Sequence, residues 1–232
     1  MLAERSRLVF VRHGQASLGS GDYDRLSELG REQSRLLGRR LAEQFGDDWA
    51  LWSGTLKRHR QTLAAFGPDR AGVFDSNLNE YSVGDLIARA MTQATELGLT
   101  PPGPEAFADP VAYLQRFLQW FPEVLEMWQS GELEDPVNGS WTDFSRRVSS
   151  VVPAWQTALA SGRSVVVVSS AGVISTVLTG LLDKPLEWQR QINVRMANTA
   201  LSELQVDSQG RWHLTRLNCL DHLDDEQLQT LA

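Results

Sequence analysis

Apolar residues fall along this chain in two rhythms. Short unbroken runs alternate with stretches in which they return every three or four positions, and that alternation predicts strands and helices in turn. Leu8–Arg12 opens with four apolar residues and reads as a first strand buried on both faces. Ser27 then stands as an N-cap before Leu29, Gln33, Leu36, Leu37, Leu41 and Phe45, which recur at helical spacing. Trp49–Ser53 predicts a second strand and Lys57–Phe66 a second helix. Strand, helix, strand, helix in that order implies a parallel sheet with right-handed crossovers.

The middle of the chain changes character. Leu86–Leu99 reads as helical, and Pro101-Pro102-Gly103-Pro104 after it as a loop. Asp109 as N-cap and Pro110 as first helical residue open a helix running to about Trp128. Ser140 and Asp143 have capping-box-like spacing before a helix reaching about Ala160, which Pro153 is expected to kink. Residues 83–138 are thus read as a helical insertion beside the sheet, within one domain spanning residues 1–232. The first pattern then returns. Val165–Val168 is β-branched throughout, as suits a central strand, and Ser169-Ser170-Ala171-Gly172 turns it into a helix over Val173–Leu182. Leu201–Val206 and Trp212–Leu217 flank the turn at Asp207-Ser208-Gln209-Gly210 as two closing strands. The expected fold is a three-layer α/β/α arrangement, with a mostly parallel central sheet and a helical insertion beside the rim of the site.

Composition narrows the functional classes. A net charge of −7 over 232 residues argues against general affinity for nucleic acid or an anionic membrane. The single cysteine, Cys219, excludes an internal disulfide framework and fits a reducing compartment. The apolar run at Leu8–Val11 is too short for a signal-peptide core or a membrane span, so the expected location is cytoplasmic. No cysteine–histidine cluster or paired-carboxylate motif points to a metal, and no cofactor is expected. The eight tryptophans, four of them at Trp120, Trp128, Trp141 and Trp155, are read as core rather than as an aromatic substrate cage.

Three strand ends carry anion-friendly residues: Arg12-His13-Gly14, Ser53–Arg60 and Ser169–Gly172. Parallel strands bring such ends to one rim, where open α/β sheets bind ligands. Two guanidinium groups can grip one phosphoryl group, the turn before a helix offers backbone N–H groups, and an imidazole can attack phosphorus.

On these residues the chain resembles the histidine phosphatase superfamily, also called phosphoglycerate mutase-like. Leu8–Gly14 is similar to its strand and Arg-His-Gly motif. Asp24–Gln33 is similar to its Leu-Thr-x-x-Gly-x-x-Gln helix start, and Gly54–Thr62 to its Ser-Pro-Leu-x-Arg-Ala-x-Gln-Thr segment. Asn79-Glu80-Tyr81 with Gly84-Asp85 is similar to its acidic motif, and Val167–Ile174 to its Val-Val-Ser-His-Gly-Gly-Val-Ile turn. The resemblance implies a phosphatase acting on a small phosphorylated substrate. His13 would be the nucleophile, Arg12 and Arg58 would neutralise the transferring oxygens, and Glu80 would be the general acid. Gly14, Ser17, Ser170 and Ala171 would contact the phosphate. Two other readings are a phosphoglycerate mutase-type phosphotransferase and a degenerate member that binds a phosphorylated ligand with little turnover.

One departure stands out. Where the family motif has its second histidine, this chain has Ser170, and Ala171 replaces the following glycine. Three other histidines are available besides His13. His59 is expected to point away from the phosphate, because successive helical residues diverge. His213 is expected to be remote. His222, in a loop after the last strand, is carried as a candidate substrate contact, and Arg60 as an alternative source of charge.

Overall fold

A computed structural model of the chain describes residues 6–17, 24–46, 49–67, 71–103 and 109–231. Its sheet has six strands: β1 (Leu8–Arg12), β2 (Trp49–Ser53), β3 (Val73–Phe74), β4 (Ser164–Ser169), β5 (Leu201–Val206) and β6 (Trp212–Cys219). They lie in the order β3-β2-β4-β1-β5-β6. The first four strands run parallel to one another, while β5 is antiparallel to both neighbours, so the sheet is mixed.

The central strands separate two apolar layers by the alternation of their side chains. Leu8, Phe10, Val165 and Val167 face one layer, with Trp155 of α6 (Val152–Ala160) and Ile174, Val177 and Leu178 of α7 (Ala171–Leu181). Val9, Val11, Val166 and Val168 face the other, with Leu37 and Leu41 of α1 (Glu28–Phe45) and Leu63 of α2 (Lys57–Ala64). Burial on both faces is why these strands are apolar without interruption. Helices α3 (Val83–Gln93) and α4 (Pro110–Ser130) contribute Leu86, Ala90, Val124 and Leu125 to the first layer. Trp120, Trp128, Trp141 and Trp155 are all buried there. Truncating an indole in such a site costs about 3–5 kcal/mol.

Several boundaries differ from the sequence reading. The helix expected from Ser140 to Ala160 is two helices, α5 (Trp141–Ser149) and α6, separated at Ser150 and Val151. Pro153 sits in the first turn of α6, where its missing N–H has no intrahelical partner to lose; it marks a start rather than a kink. The helix expected over Leu86–Leu99 runs earlier, as α3, and gives way to turns after Gln93. Ser27 caps α1 as expected, accepting from the Gly30 N–H. Pro104, at the end of the expected loop, lies outside the described residues. Among the described residues, no helix is long and apolar enough to cross a membrane.

Candidate active site

The carboxyl ends of β1, β2 and β4 meet because their register leaves no stagger between them. Arg12 pairs with Ser169 and Ser53 with Val168, and the His13 N–H then donates to the Ser169 carbonyl at 2.9 Å. Above this rim lies a cleft of about 790 Å³. Arg12, His13, Arg58, Glu80, Ser170 and Ala171, six of the residues singled out in the sequence, all line it.

His13 sits at the floor, 5% exposed. Its Nδ1 lies 2.7 Å from the Gly14 carbonyl, an acceptor that favours the tautomer protonated at Nδ1. That leaves the Nε2 lone pair towards Arg58, whose Nε–H donates to it at 3.2 Å. Burial, then the charges of Arg58 and Arg12 and the neighbouring His59, push the imidazole well below its ordinary range, while the Gly14 bond opposes them. A neutral imidazole with Nε2 unprotonated is the form able to attack an electrophile once the Arg58 bond gives way.

Two arginines border it. Arg58, at the start of α2, is held by Asp24, with Nη1 at 2.8 Å from Oδ1, and its side chain is only 11% exposed. Asp24 also caps the start of α2 by accepting from the Lys57 N–H at 2.9 Å. Arg12 Nη1 donates to the carbonyls of Met196 and Leu231, so the carboxyl-terminal segment fixes this guanidinium at the rim. Asp24 and these two carbonyls were not singled out as site groups. Only their distance to the arginines reveals what they do.

Glu80 occupies the opposite wall. Its carboxylate accepts from the Gly172 N–H at 2.8 Å and the Tyr81 N–H at 3.2 Å. Burial raises its pKa above the usual carboxylate value, against the pull of these two bonds, Arg58 and Arg12. The side chain fits because residue 172 is glycine: a Cβ there would stand 2.4 Å from Glu80 Oε1. Environment therefore holds the imidazole neutral and shifts the carboxyl towards its protonated form in one cleft, which suits a nucleophile beside a proton donor.

The other sequence candidates are placed elsewhere. Gly14 is buried under α1, where a Cβ would come within 2.4 Å of the Gly30 carbonyl oxygen. The Ser17 N–H donates to the Arg25 carbonyl at 2.8 Å, and Ser17 lines a separate depression with Gln15 and Arg31. His222 is not among the cleft-lining residues: its Nε2 is 3.0 Å from Thr199 Oγ1, and burial lowers its pKa to about 4. Arg60 stacks on Phe74 at the exposed sheet edge, and His213 pairs with Asp207 across the hairpin turn. Neither reaches the cleft. His59 does approach the site, but from behind, with Nε2 at 2.7 Å from Ser170 Oγ.

Comparison with known proteins gives the family and the fold. The profile of the histidine phosphatase superfamily (branch 1) matches residues 8–109 and 113–220, and the chain belongs to that family. It is 23% identical over 235 residues to a probable phosphatase of Schizosaccharomyces pombe, covering 95% of this chain and 97% of the relative. In fold it is similar to a mycobacterial glucosyl-3-phosphoglycerate phosphatase solved with VO3, at TM-score 0.61 and 24% identity, over 93% of this chain and 100% of the other. A putative α-ribazole-5'-P phosphatase of Escherichia coli superposes at TM-score 0.62 and 22% identity, over 93% of this chain and 98% of that one.

Proposed function

We propose that this protein is a phosphomonoester hydrolase that works through a phosphohistidine on His13. The observation that carries the reading is the juxtaposition in one cleft of a neutral imidazole, its Nε2 lone pair beside Arg58, and a carboxyl with a raised pKa. The phosphoryl group of the ester enters between His13 and the arginines. Nε2 attacks phosphorus, the P–O bond to the alcohol breaks, and Glu80 gives its proton to the departing oxygen. Water then attacks the phosphohistidine, losing its proton to the Glu80 carboxylate, and inorganic phosphate leaves with His13 neutral again. Arg12 and Arg58 offset the charge of the transferring oxygens throughout, where most catalysis of phosphoryl transfer arises.

The walls indicate the kind of alcohol. Among the described residues the charged side chains lining the cleft are Arg12, Arg58, Asp24 and Glu80, and both cations serve the phosphoryl group. The outer wall is apolar, built by Val83, Ile87, Leu114, Phe117, Phe121 and Leu231. A substrate with a second phosphate or a carboxylate, as mutase-type transfer between phosphoglycerates requires, meets no further cation among the described residues of the lining. The cleft suits a monoester of an uncharged, bulky, apolar alcohol. A steady-state series is expected to show kcat/KM rising by about tenfold or more from a small alkyl phosphate to an arylalkyl phosphate, and low for 3-phosphoglycerate. The reverse order would overturn this assignment.

Glu80→Gln tests the acid. An activated aryl phosphate needs little protonation on leaving, whereas an alkyl phosphate needs it fully. Loss is expected at about 10²–10⁴-fold for the alkyl ester and much less in the first step for the aryl ester. In the native enzyme the alkaline limb of the rate profile is expected where Glu80 loses its proton, above the ordinary carboxylate range. Equal losses in the transfer step for both esters would remove Glu80 from this role.

A further inference from the structure

We propose that His59 is a positioning residue that aims the Ser170 hydroxyl at the phosphoryl group, so that the two together replace the histidine which the motif turn carries at position 170. The proposal rests on the phosphatase reading above and extends it to residues that reading leaves unused.

Ser170 occupies the N-cap position of α7, where a serine ordinarily accepts from a backbone N–H of the first turn. Here it makes no such bond, and the Gly172 N–H goes to Glu80 instead. Among the described residues the Ser170 Oγ is engaged from behind, by His59 Nε2 at 2.7 Å, while Ser170 itself lines the cleft. His59 is fully buried at 0% exposure, on the inward face of α2 with Thr62 and Leu63. Its ring stands 5.6 Å from that of His13, centroid to centroid.

The direction of the hydrogen bond follows from the other ring nitrogen. His59 Nδ1 is buried and has no hydrogen-bond partner among the described residues. A proton there would be an orphaned donor, the costlier way to leave a buried polar atom unpaired. The proton therefore belongs on Nε2, which donates to Ser170 Oγ. The serine's own hydrogen is then left to point into the cleft, towards a phosphoryl oxygen. Donation into Oγ polarises the hydroxyl and strengthens its outward bond. Burial and the nearby Arg58 hold His59 neutral, so the pair supplies a directed donor rather than an added positive charge.

The space for this arrangement comes from a third residue. A Cβ at position 54 would lie 2.1 Å from His59 Nδ1, so only glycine lets the ring reach Ser170. Gly54, His59 and Ser170 are three places where this chain departs from the motif segments it resembles, which carry serine, alanine and histidine there. In space these three departures are one contact. The imidazole stands on α2 instead of in the turn after β4, and the glycine at position 54 leaves room for it.

The experiment compares native enzyme, Ser170→Ala, His59→Phe, the double variant, His59→Gln and the swap His59→Ala/Ser170→His. Each is assayed for kcat/KM with p-nitrophenyl phosphate and for the dissociation constant of inorganic phosphate. Ser170→Ala is expected to lower kcat/KM by about 100-fold and weaken phosphate binding by about tenfold. His59→Phe keeps the ring volume without the donor and is expected to lose at least tenfold of kcat/KM. The double variant should be no worse than Ser170→Ala, because one residue acts through the other. His59→Gln, with an amide donor, should recover most of the loss, and the swap should exceed either single variant. Multiplying losses, or a His59→Phe variant within twofold of native in both measurements, would overturn the proposal. If native enzyme hydrolyses no ester, the phosphatase reading fails and the phosphate titrations still decide this one. Nitrogen-15 NMR of the native protein reads the tautomer directly, whatever the folding of any variant: a His59 proton on Nδ1 would contradict the assignment, and one on Nε2 would support it.

Discussion

Replacing His13 by alanine is expected to reduce phosphate release by roughly five orders of magnitude or more, down to the uncatalysed background, with the fold intact. No neighbouring group can substitute for the attacking nitrogen: Arg58 is a permanent cation, Glu80 is held by two backbone donors on the opposite wall, and the Ser170 oxygen accepts from His59. Loss of a nucleophile in covalent catalysis has effects of this size. Stability should change little. The imidazole is buried beside Arg12, Arg58 and a second imidazole, surroundings that penalise its charged form. The thermal midpoint of the variant should stay within a few degrees of native. A residual rate above one per cent of native would show that His13 is not the nucleophile.

Arg58→Ala carries the next largest expected effect, a fall in kcat/KM of about 10³-fold. The residue does two things at once: it faces the transferring oxygens, and after burial its charge is the largest influence keeping His13 deprotonated. Its removal raises the His13 pKa. Because only neutral His13 attacks, the acid limb of the kcat/KM profile should move to higher pH, the opposite of what loss of a remote carboxylate partner would do. Arg58→Lys should rescue poorly, since an ammonium cannot hold Asp24 and present a planar donor edge to the phosphoryl group together. An unmoved acid limb in Arg58→Ala would separate the arginine from the titration assigned to it.

Elements written as unbroken apolar runs were fully legible in the sequence. Leu8–Arg12 and Val165–Val168 read as strands buried on both faces and are so in β1 and β4, and the strand order then brings Arg12, His13 and Ser170 together. Among the strands and α-helices, two were missed for physical reasons. β3 has only two residues, both exposed at the sheet edge, and so carries no apolar period. Helix α8 (Leu186–Arg195) was missed because its buried positions are polar: Gln189 bonds Ser175 at 2.9 Å and Asn193 bonds the Tyr81 hydroxyl at 3.1 Å. Trp188, Ile192 and Val194 pack against the core only partly buried, so the apolar period is weak where the fully buried positions are amides.

Within the site, motif residues were legible and their supports were not. Asp24 and the Met196 and Leu231 carbonyls act only through proximity created by the fold. The segment after β6 does reach the rim, but through the Leu231 backbone and side chain rather than His222. The divergence of neighbouring helical residues rightly separates His59 from Arg58. It leaves out that the inward face of α2 backs onto the same turn; the buried positions His59, Thr62 and Leu63, spaced i, i+3 and i+4, are the signal that would have shown it.

The most direct test of covalent catalysis by His13 is to catch the phosphoryl group on the enzyme. Turnover of p-nitrophenyl phosphate is quenched in alkali, which preserves phosphohistidine, and the peptide carrying His13 is analysed by mass spectrometry. The expected result is a phosphoryl group on Nε2 of His13, absent from His13→Ala and accumulating in Glu80→Gln, where the attacking water has lost its proton acceptor. A phosphoryl group on Ser170, or sustained turnover with His13 unmodified at every quench time, would contradict it.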